Sequence, residues 1–279
     1  MTDMTFRTVS TAFCAALAAA FLFTSCGKEP AKRSGESGQE PGQEQRDPNK
    51  IYIGVGHCGI GQELRDTFKK CIEDAGGEMV WFEYYAKYDG QAENLINSVD
   101  ALIVPGSSAD DTTGRTACDK KIISEAGSQG KPVLGICFGC QKINQSRKGT
   151  VPAVEEQQCW KEYSPQINHY KGSKFYSHSI KIDKDSKLYR IYGTDSLFVN
   201  SSHNYCVVNI GEGLKITAYA PDGIVEAIET VDGDPMNATA NYVGVQFHPE
   251  RLYVALNDSI HLKIFKYLVD EARKAKNAK

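Results

Sequence analysis

A cysteine flanked by two glycines is the residue of this sequence best suited to nucleophilic chemistry. Gly135-Ile136-Cys137-Phe138-Gly139 ends the short apolar run Pro132–Ile136 and leads into a stretch that favours a helix. A sharp turn from strand to helix exposes the side chain at the turn, and glycines on either side prevent crowding by Cβ atoms. The helix would favour a thiolate, and the N–H of Phe138 would face a developing oxyanion. The pattern therefore predicts Cys137 as a nucleophile, with a buried structural cysteine as the alternative.

A histidine at the end of another predicted strand supplies a matching base. The run Asn241–Phe247 leads directly into His248, Pro249 and Glu250. In an extended chain, residues i and i+2 face the same side, so the carboxylate of Glu250 can reach the imidazole of His248. A carboxylate there fixes the ring tautomer and stabilises its charged form, as the third member of a triad does. The sequence thus predicts a triad of Cys137, His248 and Glu250.

These motifs together resemble those of the class I glutamine amidotransferase-like superfamily. Within it, the sequence is most similar to the free-standing γ-glutamyl hydrolases, including γ-glutamyl-γ-aminobutyrate hydrolase. The motifs are Gly-Ile-Cys-x-Gly-x-Gln at 135–141 and Gln-Phe-His-Pro-Glu at 246–250, and the likeness extends from Ile51 to the C-terminal helix. The resemblance implies a flavodoxin-like three-layer α/β sandwich with a mainly parallel central sheet. It also implies a cysteine hydrolase that cleaves γ-glutamyl amide bonds through a thioester, with no cofactor and no metal.

Three further segments match this superfamily. Asp100–Ser107 resembles the loop that completes an oxyanion hole, so the N–H groups of Ser107 and Phe138 are the expected donors. Asn200–His203 resembles the segment beside the substrate, and Pro221–Ile228 resembles the strand pair that precedes the catalytic histidine. The substrate-binding residues implied by the resemblance are Gly106, Gln141, His203 and Tyr205.

Three of these positions depart from the family pattern. Tyr205 stands where many of these hydrolases have Gln, Phe138 where they often have Arg, and Ser107 where a second glycine is usual. A backbone N–H survives the change at Ser107. These departures affect the prediction of which amine is released more than the prediction of which type of bond is cleaved.

The elements that must position these residues alternate between strand and helix. This alternation favours a parallel, doubly wound sheet. The predicted strands are Ile51–Val55, Met79–Phe82, Asp100–Val104, Pro132–Ile136, Ser179–Ile182, Ser196–Val199, Lys215–Tyr219, Gly223–Thr230 and Asn241–Phe247. The predicted helices are Gln62–Ala75, Gln91–Asn97, Thr116–Ser128 and Leu252–Lys274, besides the one after Cys137.

The first fifty residues have the pattern of an exported lipoprotein. Arg7 precedes the apolar run Phe13–Phe23, which is too short to span a bilayer, and Phe23–Cys26 resembles a lipoprotein cleavage box. Residues 1–25 are therefore predicted to be a signal peptide, Cys26 the lipidated N-terminus, 26–50 a flexible tether and 51–279 the hydrolase domain. Secretion with cleavage near Ser25 is the alternative. The predicted location is the cell envelope, facing the periplasm or the exterior.

The composition of the chain limits the classes of molecule that it is expected to bind. The formal net charge of −3, without a basic stripe, argues against nucleic acid. The expected partners are a small γ-glutamyl substrate and the membrane that holds the lipid, and a homodimer is one open oligomeric state. An odd number of cysteines follows Cys26, which leaves at least one thiol free or pairs it between chains. These are Cys58, Cys71, Cys118, Cys137, Cys140, Cys159 and Cys206.

Other interpretations of the same residues remain open. Gly54–Gly59 fits a Gly-x-Gly-x-x-Gly dinucleotide motif, and Cys137–Cys140 fits a redox dithiol or half of a zinc site. His57, His169, His178 and His261 show no partner pattern and are predicted to be structural or surface residues. The alternative functions are a catalytically silent lipoprotein that binds γ-glutamyl solutes, and a glutaminase or amidotransferase component.

Overall fold

One mixed sheet organises the part of the chain that the computed structural model describes, which is residues 46–57, 61–83, 92–107, 115–153, 167–170, 174–233 and 238–278. Within these ranges nine strands belong to the sheet. They are β1 Tyr52–His57, β2 Glu78–Glu83, β3 Ala101–Val104, β4 Val133–Ile136, β5 His178–Ile182, β6 Ser196–Val199, β7 Leu214–Tyr219, β8 Val225–Thr230 and β9 Tyr242–Val245. Their order across the sheet is β2-β1-β3-β4-β9-β8-β7-β5-β6.

The sheet has a parallel half and an antiparallel half. Strands β2, β1, β3, β4 and β9 pair in parallel. From β9 outward, β8, β7, β5 and β6 pair in antiparallel fashion. The expectation of a mainly parallel sheet thus describes the half that contains the predicted site, where helical crossovers join successive strands. Short connections along the chain from β5 to β9 instead allow antiparallel neighbours.

Helices cover both faces of this sheet. They are α1 Gln62–Asp74, α2 Ala92–Asn97, α3 Arg115–Ser128, α4 Phe138–Ser146, α5 Lys187–Tyr192, α6 Pro249–Leu256 and α7 Lys263–Asn277, with a 3₁₀ turn at Ser259–Leu262. One apolar cluster joins α1, α5 and α7 to one face, where Ile103 and Leu134 point. A second joins α2, α3 and α4 to the other face, where Leu102 and Val133 point. Alternate residues of each strand therefore enter opposite cores, which confirms the three-layer sandwich.

Two predicted elements differ from the structure. The predicted helix Leu252–Lys274 is divided, because Asn257 adopts a left-handed φ of 52° that ends α6. The side chain of Asp258 then accepts a hydrogen bond from the N–H of Ile260 and starts the 3₁₀ turn. Helix α5 was not predicted, although Ser186 caps its start and Gly193 ends it in the left-handed region.

The strand ends of the parallel half form the edge that holds the predicted triad. Cys137 follows β4, Gly106 and Ser107 follow β3, and His248 follows β9. In open α/β sheets, ligands bind at the carboxyl ends of the parallel strands, so this edge is the expected place for a site. None of the helices in the described ranges is long and apolar enough to cross a membrane. The predicted signal peptide and Cys26 lie outside the described residues.

Candidate active site

Cys137 occupies a strained turn between β4 and α4. Its φ is 51° and its ψ is −103°, a conformation that a residue with a Cβ rarely adopts. Such backbone strain costs about 1–3 kcal/mol and persists only where the surrounding structure enforces it. The N–H of Cys137 donates to the carbonyl of Val245 on β9 at 2.7 Å, which fixes one side of the turn. The turn presents the sulfur of a buried side chain at the positive end of α4.

The two glycines that flank the cysteine are required by close backbone contacts. A Cβ on Gly139 would lie 1.9 Å from the carbonyl oxygen of Val104, and a Cβ on Gly135 would lie 2.6 Å from the backbone of Gly139. No real Cβ tolerates such distances, so the first turn of α4 can press against β3 and β4 only with glycine at both positions. The glycine spacing seen in the sequence thus has the steric cause that was predicted for it.

His248 and Glu250 meet beside this turn. Nδ1 of His248 lies 2.9 Å from Oε1 of Glu250, and both side chains are buried. The expected extended geometry is wrong in detail, because Pro249 begins helix α6 and Glu250 lies in its first turn. Asn200 holds the histidine backbone from the other side: its Oδ1 accepts from the N–H of His248 at 2.7 Å, and its Nδ2 donates to the His248 carbonyl at 3.0 Å.

The surroundings of His248 favour its charged form. Burial alone would lower the pKa of His248, but the charges of Glu250 and Cys137, and hydrogen bonds to both, raise it to about 10. Since Nδ1 faces Glu250, Nε2 is the nitrogen available to the sulfur of Cys137. At neutral pH the site is therefore arranged to hold an imidazolium beside the cysteine.

The loop after β3 passes directly against the triad. A Cβ on Gly106 would lie 2.6 Å from Cε1 of His248 and 3.3 Å from Cβ of Cys137. Only a glycine lets the backbone approach this closely, and it brings the half-buried Ser107 to the same edge. The first N–H groups of a helix have no intrahelical acceptor, so the N–H of Phe138 is available at the start of α4. Whether Ser107 and Phe138 form an oxyanion hole stays a prediction.

Arg115, which the sequence reasoning did not single out, ties these parts together. Its Nη2 donates to the carbonyl of Pro105 at 2.9 Å, and its Nε pairs with Asp119 at 3.0 Å. Its guanidinium also lies 4.6 Å from the centre of the Phe138 ring. One buried cation therefore contacts both the loop after β3 and the first residue of α4. No sequence signal marks this role, since the residue is ten positions from the loop that it holds.

A chain of amides connects the nucleophile to the loop that carries Tyr205. Nε2 of Gln246 lies 3.5 Å from Sγ of Cys137, and Oε1 of Gln246 accepts from Nε2 of Gln141 at 3.2 Å. Gln141 also donates to the carbonyl of Tyr205 at 3.0 Å, and the Tyr205 side chain is 40% exposed. The sequence analysis gave Gln246 no role of its own, although it stands two residues before His248 in the motif at 246–250.

His203 belongs to a buried polar cluster behind the catalytic edge. Its Nδ1 lies 2.9 Å from the carbonyl of Tyr205 and its Nε2 lies 3.2 Å from Nδ1 of His169, so both ring nitrogens face protein atoms. Nε2 of His178 lies 3.2 Å from Oε1 of Glu226 in the same cluster. His169 and His178 were predicted to be structural or surface residues, and both are buried and hydrogen-bonded, although the sequence showed no pattern that identifies their partners. Strand pairing brings these distant positions together.

The charges within this cluster support one another. Burial would raise the pKa of Glu226, but hydrogen bonds from three imidazoles hold it well below its usual range. Burial would lower the pKa of His169, but hydrogen bonds to Asp222 and Glu226 raise it to about 9. Burial lowers the pKa of His203. The cluster is thus built around an ionised Glu226.

The predicted dinucleotide motif and the remaining cysteines lie partly within the described residues and partly outside them. Gly54 of the dinucleotide motif is needed for packing, because its Cβ would lie 2.6 Å from the Phe82 ring. Cys58 and Gly59 of that motif lie outside the described residues, as do Cys159 and Cys26. Five cysteines of the described ranges are buried, and no disulfide joins any two of them: Cys71, Cys118, Cys137, Cys140 and Cys206.

Comparisons with known proteins agree with this geometry. Residues 57–250 match the family Peptidase C26. NtpR of Enterococcus hirae is 31% identical over 158 residues, which are 56% of this chain but only 62% of that protein. Gamma-glutamyl-gamma-aminobutyrate hydrolase PuuD of Escherichia coli is 24% identical over 72% of this chain and 86% of its own. The glutaminase domain of Trypanosoma brucei CTPS, with bound acivicin, shares the fold: its TM-score is 0.56 at 16% identity, covering 79% of this chain and 94% of that one.

Proposed function

The chain belongs to the peptidase C26 family of class I glutamine amidotransferase-like proteins, and we propose that it is a hydrolase that cleaves γ-glutamyl amide bonds. The observation that carries this proposal is the strained Cys137 at the start of α4 beside a buried His248 whose Nδ1 lies 2.9 Å from Glu250. A cysteine, a base and an orienting carboxylate in this order are what acyl transfer through a thioester requires.

The first step forms a γ-glutamyl thioester. The thiolate of Cys137 attacks the side-chain carbonyl carbon of the γ-glutamyl group, and the carbonyl oxygen takes up the negative charge. As the tetrahedral intermediate collapses, Nε2 of His248 gives its proton to the departing nitrogen, and the C–N bond breaks. Glu250 keeps the imidazole in the orientation that this transfer needs, because it holds Nδ1. The products are a free amine and the acylated cysteine.

Backbone donors are suited to the oxyanion of this intermediate. In the proposal, the N–H of Phe138 at the start of α4 and the N–H of Ser107 on the loop after β3 face that oxygen. A single preorganised donor contributes about 3 kcal/mol of transition-state stabilisation. Arg115, which contacts both segments, would keep the two donors at a fixed separation.

The second step consumes water. Once the thioester has formed, the sulfur carries no charge, so His248 loses one of the two negative neighbours that raise its pKa. The imidazole, neutral after protonating the amine, then removes a proton from water, which attacks the thioester carbonyl. Release of glutamate with its new carboxylate regenerates Cys137 and the protonated His248. Neither step needs an oxidant, a reductant or a further reactant.

Hydrolysis of a small γ-glutamyl compound is favoured over transfer of ammonia to a partner. PuuD, whose name states a γ-glutamyl substrate, aligns with 72% of this chain over 86% of its own length. The CTPS glutaminase domain shares the fold and makes glutaminase activity the second candidate.

Glutamate release from a substrate panel tests the proposal. The full chain, purified with reductant, is assayed with γ-glutamyl-aminobutyrate, glutathione, poly-γ-glutamate and glutamine. We expect turnover of at least one γ-glutamyl amine or peptide, and Cys137→Ala should lower kcat/KM by at least about 10³-fold. Turnover of glutamine alone would instead indicate a glutaminase.

A matched cysteine variant controls for the loss of a buried thiol. Cys140→Ala alters the same helix three residues away and should retain turnover, because Cys137 and not Cys140 is the nucleophile of the proposed mechanism. If both variants lose activity equally, a dithiol reaction replaces the proposed mechanism. If no substrate turns over but γ-glutamyl compounds bind tightly, the protein is a silent binding protein.

A further inference from the structure

A second constellation of reactive side chains lies outside the triad. His169, His178 and His203 surround Glu226, and all four side chains are buried. They come from separate parts of the chain: His178 begins β5, His203 follows β6, and Glu226 lies on β8. The mechanism above uses none of them. Three imidazoles around one carboxylate are a donor set that transition metals favour.

Four distances between potential ligand atoms are close to those around a tetrahedral metal ion. Oε1 of Glu226 lies 3.4 Å from Nδ1 of His169, 3.2 Å from Nε2 of His178 and 3.6 Å from Nε2 of His203. Nδ1 of His169 lies 3.2 Å from Nε2 of His203. Ligands placed about 2.0–2.1 Å from a tetrahedral ion are about 3.3 Å apart. Among the described residues, ligand atoms of His169, His178 and Glu226 all lie within 4.8 Å of one another, and His203 is not part of that set.

The outer partners of two histidines also follow the pattern of a metal site. Nε2 of His169 lies 3.0 Å from Oδ2 of Asp222, and Nδ1 of His203 lies 2.9 Å from the carbonyl of Tyr205. A histidine that binds a metal through one nitrogen characteristically donates the other N–H to a carboxylate or a backbone carbonyl. These partners leave Nδ1 of His169 and Nε2 of His203 pointing towards Glu226.

Two polar atoms of the cluster have no hydrogen-bond partner within the described part of the chain. They are Oε2 of Glu226 and Nδ1 of His178. An unpaired carboxylate oxygen in a buried site is costly, and a cation beside the carboxylate removes most of that cost. A divalent ion bound by neutral imidazoles would also balance the two negative charges of Glu226 and Asp222.

We propose that His169, His178 and Glu226, with His203 as the fourth ligand, form a Zn²⁺ site. Nitrogen-rich ligands exclude Mg²⁺ and Ca²⁺, which prefer oxygen, and a closed tetrahedral set of protein ligands is typical of structural zinc. The ion would join β5, β8 and the segment after β6. That segment contacts the nucleophile, because the carbonyl of Ser202 lies 4.0 Å from Sγ of Cys137. The site therefore secures one wall of the catalytic edge.

Metal titration of the full chain tests this proposal. The protein is stripped with a chelator, then titrated with Zn²⁺, and bound metal is measured by elemental analysis after gel filtration. We expect one Zn²⁺ per chain and a rise in Tm on its addition. Co²⁺ in place of Zn²⁺ should give the intense visible absorption of a tetrahedral site without a thiolate charge-transfer band.

Variants separate this site from the triad, whose cysteine, histidine and glutamate could also bind zinc. His178→Gln and Glu226→Gln should each weaken binding by at least about tenfold, and Asp222→Asn by about 10- to 100-fold. Cys137→Ala and His248→Gln, which remove the triad ligands, should retain the full stoichiometry. Because these two variants are inactive under the proposed function, metal binding is measured independently of turnover.

The opposite results would overturn the proposal. If the stripped chain is folded by circular dichroism and takes up neither Zn²⁺ nor Co²⁺, the cluster is a hydrogen-bonded structural network. If the ion is lost in Cys137→Ala instead of Glu226→Gln, it binds at the triad. If a variant of the histidine cluster fails to fold, the metal titration and the Co²⁺ spectrum of the unaltered chain still test whether the site binds metal.

Discussion

At the scale of single residues, the candidate site contains two energetically unfavourable features that neighbouring groups stabilise: the strained backbone of Cys137 and the buried charge of His248. The left-handed backbone of Cys137 is held by α4 packing against β3 and by the hydrogen bond to Val245. The buried charge of His248 is held by Glu250 and by the sulfur of Cys137. The strained turn places the sulfur of Cys137 at the start of α4, and the charge on His248 provides a proton donor for the leaving group.

The charge on His248 gives a testable pH dependence. Its pKa in the folded chain is raised to about 10 from an ordinary value of 6.5. The proton needed by the leaving amine is therefore present at neutral pH and lost as the pH rises through about 10. We expect kcat/KM to fall along an alkaline limb near that pH. Stability follows the same sign: the contribution of this group is complete below about pH 6.5 and disappears as the pH passes through 10.

The variant Glu250→Gln distinguishes deprotonation of His248 from general unfolding at alkaline pH as the cause of the loss of activity. The amide can still hold Nδ1 but carries no charge, so the pKa of His248 should fall and its titration should move down by about 1–3 pH units. An imidazole chemical-shift titration by NMR measures this even if turnover is weak, and circular dichroism over the same range shows whether the fold survives. An unmoved titration in the variant would contradict the assigned role of Glu250.

At the scale of elements, the contact between α4 and β3 positions the nucleophile. A Cβ on Gly139 would meet backbone atoms of Val104, which cannot rotate away as a side chain can. Gly139→Ala should therefore lower the free energy of unfolding by about 1–3 kcal/mol or more and reduce activity, because α4 and Cys137 must move together. Denaturant unfolding and glutamate release measure the two effects.

Gly61→Ala is the matched control for this substitution. Gly61 precedes α1 with an ordinary φ of −68°, and no atom lies within 4 Å of its Cβ position. Its free energy of unfolding should stay within about 0.5 kcal/mol of the unaltered chain. Equal stability of the two variants would mean that the helix–strand contact does not constrain the elbow.

Most of the strands and helices could be predicted from local patterns in the sequence. Apolar runs bounded by turn residues located the strands, and the glycine spacing located the elbow. Helix α5 was missed because its six residues are too few for a periodic pattern. The break at Asn257 was missed because the apolar periodicity continues across it and asparagine only occasionally adopts the left-handed region.

Contacts between distant segments could not be read in the same way. The histidine cluster depends on the order β8-β7-β5-β6, in which strands that are not consecutive along the chain become neighbours. Nothing local to His169 or His178 specifies that order. Arg115 is similar, because its role follows from where α3 packs and not from its own neighbours in the sequence.

At the scale of the whole molecule, the two halves of the sheet carry different groups of reactive side chains. The parallel half carries Cys137 and His248 at its strand ends, and the antiparallel half carries Glu226 and the histidines around it. They meet where β8 pairs with β9. Asn200, which follows β6, bonds the backbone of His248, so the antiparallel half directly supports the catalytic histidine. A change in the histidine cluster should therefore affect the site through this support.

The last prediction concerns the whole chain and its attachment. We propose that Cys26 carries lipid, which holds the hydrolase at a membrane of the cell envelope. Each buried methylene contributes about 0.8 kcal/mol, and a single acyl chain binds only marginally, so stable attachment requires several chains on this residue. Cys26→Ser should move the protein from the membrane fraction to the soluble fraction. Its kcat/KM should not change, because Cys137, His248 and Glu250 all lie within residues 46–278.

Cys14→Ser supplies the control for this experiment, since it alters a cysteine inside the predicted signal peptide. That variant should remain in the membrane fraction, resist extraction by high salt and incorporate a labelled fatty acid as the unaltered chain does. If the unaltered chain is instead recovered soluble and unlabelled, cleavage near Ser25 without lipidation accounts for the N-terminal pattern. If Cys26→Ser changes the fraction and also lowers kcat/KM, the segment before residue 46 contributes to the site, and the separation of anchor from catalysis is wrong.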